Sequence, residues 1–189
     1  MYFRRFLIVA MMVVCGGGVA RGQGDFYGYY EEGGGDDAGL PAGAHGGSEP
    51  TVPGSRAYVH DGVAYAPEDA PDAVKRAIWA ANGIRRKPYK WSGGHGSFED
   101  SGYDCSGTVS YALHGAGLLE TPMQSSDFYG FGEAGEGRWI SVYVRSGHAF
   151  AVFAGLRLDT TGAHGTEGPR WHTGGRNLAG FEARHPVGL

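Results

Sequence analysis

The chain has 189 residues, 41% hydrophobic and 19% charged, which suits one ordinary soluble domain with a tail or two. A net charge of −4 argues against nonspecific nucleic-acid binding, which needs a basic surface. The 36 glycines are too many for a packed fold unless many lie outside it, and they crowd between Gly16 and Gly54.

The chain opens as a signal peptide. Arg4 and Arg5 form a positive start, and the apolar run from Phe6 to Val14 is too short to span a bilayer. Cleavage after Ala20 or after Gly22 suits the small-residue rule. Arg4-Arg5-Phe6-Leu7 also weakly resembles a twin-arginine signal. Cys15 is a candidate lipid anchor, although Val13-Val14 fits that role poorly. The expectation is ordinary export to the periplasm, cell wall or exterior, with residues 1–22 removed and no membrane span left. That removal takes three arginines and no acid, leaving a net charge of −7. Residues 23–56 are rich in Gly, Asp, Glu, Pro and Ser. Such a stretch buries too little apolar surface to offset the entropy of ordering it, and it reads as a flexible linker. Order is expected to begin between Arg56 and Pro71, with residues 57–189 as one domain.

Within that domain Pro71 can occupy the first turn of a helix carrying Val74, Ile78 and Ala81, which Asn82-Gly83 would end. Lys87-Pro88 then breaks the chain into an extended piece, Tyr89–Trp91. A glycine-rich loop follows from Ser92 to Gly102. A second helix should start close to Cys105, with Val109, Ala112, Leu113 and Ala116 as its apolar stripe and Gly117 as its stop. Strands are expected at Arg138–Val144, His148–Phe153 and Leu156–Thr161, and Gly180–His185 can supply another. Helices first and strands after predict an α+β fold with an antiparallel sheet.

Loss of Cys15 with the signal leaves Cys105 as the mature protein's single cysteine, so no internal disulfide can form. A lone cysteine in an exported protein points to a reactive thiol or an intermolecular bridge. The competing reading is a buried, inert thiol. Position favours reactivity, because Cys105 sits where a loop enters a helix. The unpaired N–H groups and the helix dipole there favour negative charge, and the thiolate is the nucleophile. Asp104 or Ser106 can also simply cap that helix. Among eight histidines, His45 falls in the linker, His60 precedes the core, His95 lies in the glycine loop and His114 on the helix surface. His148 differs, since it begins the apolar run Ala149–Phe153. Asp159 can orient its ring. If Ala154-Gly155 is a two-residue turn, His148 faces Thr161 and Asp159 lies on the same face within diagonal reach. A slip of one residue would send it to the other face. His164 and His172 are rivals for that third place.

Pro88-Tyr89-Lys90-Trp91-Ser92-Gly93-Gly94, then Asp104-Cys105-Ser106-Gly107, then Gly147-His148, resembles the NlpC family of papain-like cell-wall cysteine peptidases, whose pattern is Pro-Tyr-x-Trp-Gly-Gly, Asp-Cys-Ser-Gly and Gly-His. The resemblance covers about residues 72–160. It implies a papain-like α+β fold with the cysteine helix packed on an antiparallel sheet. It also implies a thiol peptidase that cleaves peptidoglycan stem peptides, typically at the D-γ-glutamyl–diaminopimelate bond, without metal or cofactor. Carried over, Cys105 is the nucleophile, His148 the base and Asp159 the third residue. Tyr89, Trp91, Asp104 and Ser106 become candidates for oxyanion and substrate binding. Ser92 departs from the expected glycine, the loop from Gly93 to Tyr103 is long, and the chain after Gly162 carries no family motif. A noncatalytic wall-binding module, and an amidase or acyltransferase with the same residues, are the alternative readings. A metallohydrolase built on His148, Asp159, His164 and His172 lacks a compact ligand motif. Oligomeric state is left open.

Overall fold

A computed structural model describes residues 49–161 and 168–189. The expected signal peptide, the linker up to residue 48, His45 and His164 lie outside the described residues.

Three short strands precede the first helix: β1 (Thr51–Val52), β2 (Tyr58–His60) and β3 (Val63–Pro67). β3 pairs antiparallel with β2 and parallel with β1. Helices-first ordering missed this small sheet. Its hairpin turns on Asp61-Gly62, with φ of 49° and 72°, the two left-handed residues that the tightest hairpins require. β1 lies inside the stretch read as linker, so order begins earlier than Arg56. It is tied down by backbone and side chain: Pro50 C=O accepts from Ala66 N–H at 2.9 Å and from Trp79 Nε1 at 3.0 Å.

Helix α1 (Asp72–Ile84) buries Val74, Ile78 and Ala81 as their spacing predicts, with Pro71 at its N-cap. It does not stop at Asn82-Gly83. The Asn82 amide makes three hydrogen bonds to other elements, so its side chain is engaged away from its own backbone. It accepts from Ala64 N–H and Trp171 Nε1, both at 2.9 Å, and donates to Ala64 C=O at 2.8 Å. One side chain thus joins α1 to both sheets. Helix α2 (Cys105–Gly115) buries Val109, Ala112 and Leu113 completely and packs between α1 and β6. Gly117, at φ 75°, ends the segment in the left-handed conformation.

A short 3-10 turn (Asp127–Gly130) leads to the main sheet. Its strands are β4 (Glu133–Ala134), β5 (Ile140–Arg145), β6 (His148–Phe153), β7 (Leu156–Asp159), β8 (Arg170–His172) and β9 (Glu182–His185), in the order β4-β9-β5-β6-β7-β8. Every pairing in it is antiparallel. The fold is therefore α+β, with the cysteine helix on an antiparallel sheet. The β6–β7 hairpin turns on Ala154-Gly155, at φ 47° and 86°. Alanine is a poor residue there, but its backbone is held from both sides. Ala154 N–H donates to Trp139 C=O at 2.7 Å, and its C=O accepts from Ala57 N–H at 2.9 Å. Phe153 pairs with Leu156 and Ala151 with Leu158. That register carries Asp159 to the face of the sheet that His148 occupies.

Candidate active site

Asp104 sits at the N-cap of α2 in extended conformation, and its Oδ1 accepts from Gly107 N–H at 2.8 Å. Cys105 is the first helical residue and is 9% exposed. The loop before it is sewn to the helix by backbone bonds. Tyr103 N–H donates to Pro88 C=O at 3.1 Å, Lys90 N–H to Tyr103 C=O at 3.3 Å, and Asp104 N–H to Gly93 C=O at 3.2 Å. This lacing explains the glycines of the motif. A Cβ on Gly107 would meet Gly93 O at 2.0 Å, so no side chain fits. Ser92, where the NlpC pattern has glycine, keeps the glycine conformation at φ 58°, at a cost of about 1 kcal/mol. Its N–H donates to Asp104 Oδ2 at 3.1 Å.

Opposite this helix end, His148 starts β6. Its Nε2 lies 3.1 Å from Asp159 Oδ1 and 3.2 Å from Thr161 Oγ1. Burial works to lower the His148 pKa. Hydrogen bonds to Asp159 and Cys105, with the negative charge of both, outweigh it and raise the pKa to about 9. The imidazolium form is thus favoured beside the sulfur. Asp159 is 1% exposed. Its Oδ1 also accepts from Thr161 N–H at 2.9 Å, and its Oδ2 accepts from Arg157 at 2.8 Å and from Arg176. Burial alone would raise its pKa. The His148 hydrogen bond, the Thr161 N–H and the charges of His148 and Arg176 instead hold it well below the usual carboxylate range.

The structure brings Cys105, His148 and Asp159 together, with His148 bonded to Asp159 rather than to the rival His172. His172 lies on β8 opposite Arg157, and among the described residues it makes no bond to His148. His164 is outside the described residues. Tyr89 lies near the cysteine: burial raises its pKa, and the charges of Cys105 and Asp104 raise it further, so its hydroxyl stays a donor. Trp91 is 81% exposed on the same loop. Asp104 and Ser106 are buried and already bonded to each other at 3.1 Å. Both also meet His95, whose Nε2 lies 2.9 Å from Asp104 Oδ2 and 3.0 Å from Ser106 Oγ. Sequence reasoning left His95 in the loop. A histidine directly after Gly93-Gly94, in a segment sewn to the helix start, was the signal available. It also missed Arg157 and Arg176. Arg157 was legible as the residue two before Asp159 on one strand face, whereas Arg176 comes from an irregular loop with no pattern.

A thiol at the positive end of a helix, an imidazole beside it and a buried carboxylate behind the imidazole make up the parts used for acyl transfer. No family model matches the sequence, and no curated protein matches it. Solved structures do. The peptidoglycan hydrolase RipB (Rv1478) from Mycobacterium tuberculosis is 27% identical with a TM-score of 0.50, over 62% of this chain and 66% of RipB. Rv1477, a hypothetical invasion protein of the same organism, is 22% identical with a TM-score of 0.48, over 60% of this chain and 62% of its own. The chain thus spans slightly less than two thirds of either structure, and its α+β papain-like architecture is similar to that of RipB.

Proposed function

We propose that the protein is an exported peptidoglycan endopeptidase of the NlpC type, working by a thiol acyl-enzyme mechanism on stem-peptide amide bonds. The bond between D-γ-glutamate and diaminopimelate is the favoured target. One observation carries the reading: His148 is held between Cys105 at a helix start and the buried carboxylate of Asp159. Likeness to a peptidoglycan hydrolase supports the substrate class. In this reading residues 1–22 are the export signal, 23–56 largely a linker, and 57–189 the catalytic unit joined by the short β1 segment.

The thiolate of Cys105 attacks the amide carbonyl, and the oxyanion takes hydrogen bonds from Cys105 N–H and the Tyr89 hydroxyl. His148 gives its proton to the leaving amine, then takes one from water as the thioester is hydrolysed. Asp159 stays ionised throughout and fixes the ring. Trp91 offers a flat apolar wall for the substrate.

Incubating the mature protein and Cys105→Ala with purified peptidoglycan and soluble stem peptides, with products read by mass spectrometry, tests this. Cleavage after D-glutamate by the native chain alone is the expected result. No cleavage together with a Cys105 inert to alkylation overturns it in favour of a binding module. No cleavage with a reactive Cys105 overturns the substrate and keeps the acyl chemistry.

A further inference from the structure

Arg157 and Arg176, which hold the second oxygen of Asp159, also line a cavity of about 600 Å³. Arg145, His172, Asn177 and Thr161 line it with them. Among the described residues no Asp or Glu does. Three guanidinium groups therefore line one cavity, and two of them share a single carboxylate, Asp159, in a chain whose net charge is −4. The cluster is held rigidly. Phe181 lies 4.7 Å beneath Arg145 and 5.3 Å from Arg176, and Phe150 lies 5.2 Å from Arg176. Among the described residues, Arg157 Nε and His172 Nε2 are buried there without a hydrogen-bond partner. Such atoms are rare and call for a partner. Burial, with the charge of Arg157, lowers the His172 pKa, so that ring offers a neutral hydrogen bond and adds no further charge. Thr161 joins the cavity to the reacting centre, since its Oγ1 is 3.2 Å from His148 Nε2.

We propose that this cavity is a carboxylate-binding subsite, in which Arg145, Arg157, Arg176 and His172 hold an acidic group of the substrate beside His148. A planar carboxylate matches the paired donors of guanidinium, and the excess positive charge selects for an anion. The inference rests on the peptidase reading only for the identity of the substrate. Stem peptides supply two sources of the same chemistry, the glutamyl α-carboxylate and the diaminopimelyl carboxylates.

The test compares the full-length chain with Arg145→Gln, a change that leaves both Asp159 arginines in place. Substrates are L-alanyl-γ-D-glutamyl-diaminopimelate and two analogues, amidated at the glutamyl or at the diaminopimelyl carboxylates. Amidation at one of these positions is expected to lower kcat/KM about tenfold or more, as is Arg145→Gln on the acidic peptide. Made together, the two losses should not multiply, and the coupled analogue identifies the carboxylate. Calorimetry on Cys105→Ala, with and without Arg145→Gln, reads binding without turnover and should show the same loss of about tenfold. Cleavage that ignores both amidation and Arg145→Gln sinks the subsite and leaves the peptidase standing. Carboxylate-dependent binding without cleavage does the reverse. Losses that multiply in full with both analogues also overturn the subsite.

Discussion

Two histidine–aspartate pairs flank Cys105, and they are built to different ends. His148 and Asp159 come from adjacent strands of the main sheet and meet at 3.1 Å. His95 and Asp104 come from one loop, nine residues apart in sequence, and meet at 2.9 Å. Distance does not separate the pairs. Their other neighbours do. Cys105 helps raise the pKa of the His148 ring, and Asp159 is anchored by Arg157, Arg176 and Thr161. The His95 ring turns instead to Ser106, and its aspartate is spent on capping a helix and fixing Ser92. In the proposed mechanism the first pair moves a proton at the sulfur, whereas the second holds the loop against the helix.

Removing each member tests that distinction. His148→Ala should lower kcat on stem peptides by about 10³-fold or more, whereas His95→Ala should cost about threefold at most. Equal losses would erase the difference between the pairs. Asp159→Asn should cost about two to four orders of magnitude in kcat/KM, because the ring loses its orientation and its counter-charge. It should also move the alkaline limb of the pH profile. The imidazolium form, favoured in the native site, is present at low pH and lost as pH rises through about 9. Without the Asp159 charge that limb should fall toward the ordinary histidine value, about 6.5.

Stability should follow the same signs. The His148 contribution is complete below its unfolded pKa, about 6.5, and disappears as pH rises through about 9. Asp159, whose pKa is depressed, contributes fully above about 4 and loses that contribution as pH falls below the usual carboxylate range. A Tm profile of the native chain should therefore weaken on both sides of this window, and Asp159→Asn should flatten it. A native profile without an alkaline decline would contradict the raised His148 pKa. Asp104→Ala should lower stability by about 2 kcal/mol, since it strips the α2 cap and leaves buried N–H groups unpaired. His95→Ala, which removes a partly exposed ring bonded to Asp104 and Ser106, should cost about 1 kcal/mol or less in denaturant titrations.

The parts of the molecule that were legible in the sequence are the locally encoded ones. Apolar runs and the Ala154-Gly155 turn placed β6 and β7, and their register brought Asp159 within reach of His148. The spacing of Val109, Ala112 and Leu113 after Cys105 placed α2 and put the thiol at its start. The small sheet was missed although Asp61-Gly62 is a strong hairpin signal, because β1 and β2 are only two and three residues long. Asn82 was misread for a different reason. Its role depends on Ala64 and on Trp171, 89 positions further on, and no local pattern encodes such a meeting. The His95 contacts and the place of Arg176 in the cavity belong to the same class, since both arise where loops close onto the sheet and helix, whereas Arg145 and Arg157 stand on strands.

The exposed indole of Trp91 gives the protein a built-in optical gauge. Trp171 and Trp79 are hydrogen-bonded within the fold, and Trp139 packs against the core. Trp91, at 81% exposure on the loop beside the thiol, should emit at the red end of the protein's fluorescence. Any molecule settling over that loop shields it from water first, so a blue shift or a change in quenching by iodide would time the arrival of substrate separately from the chemistry that follows.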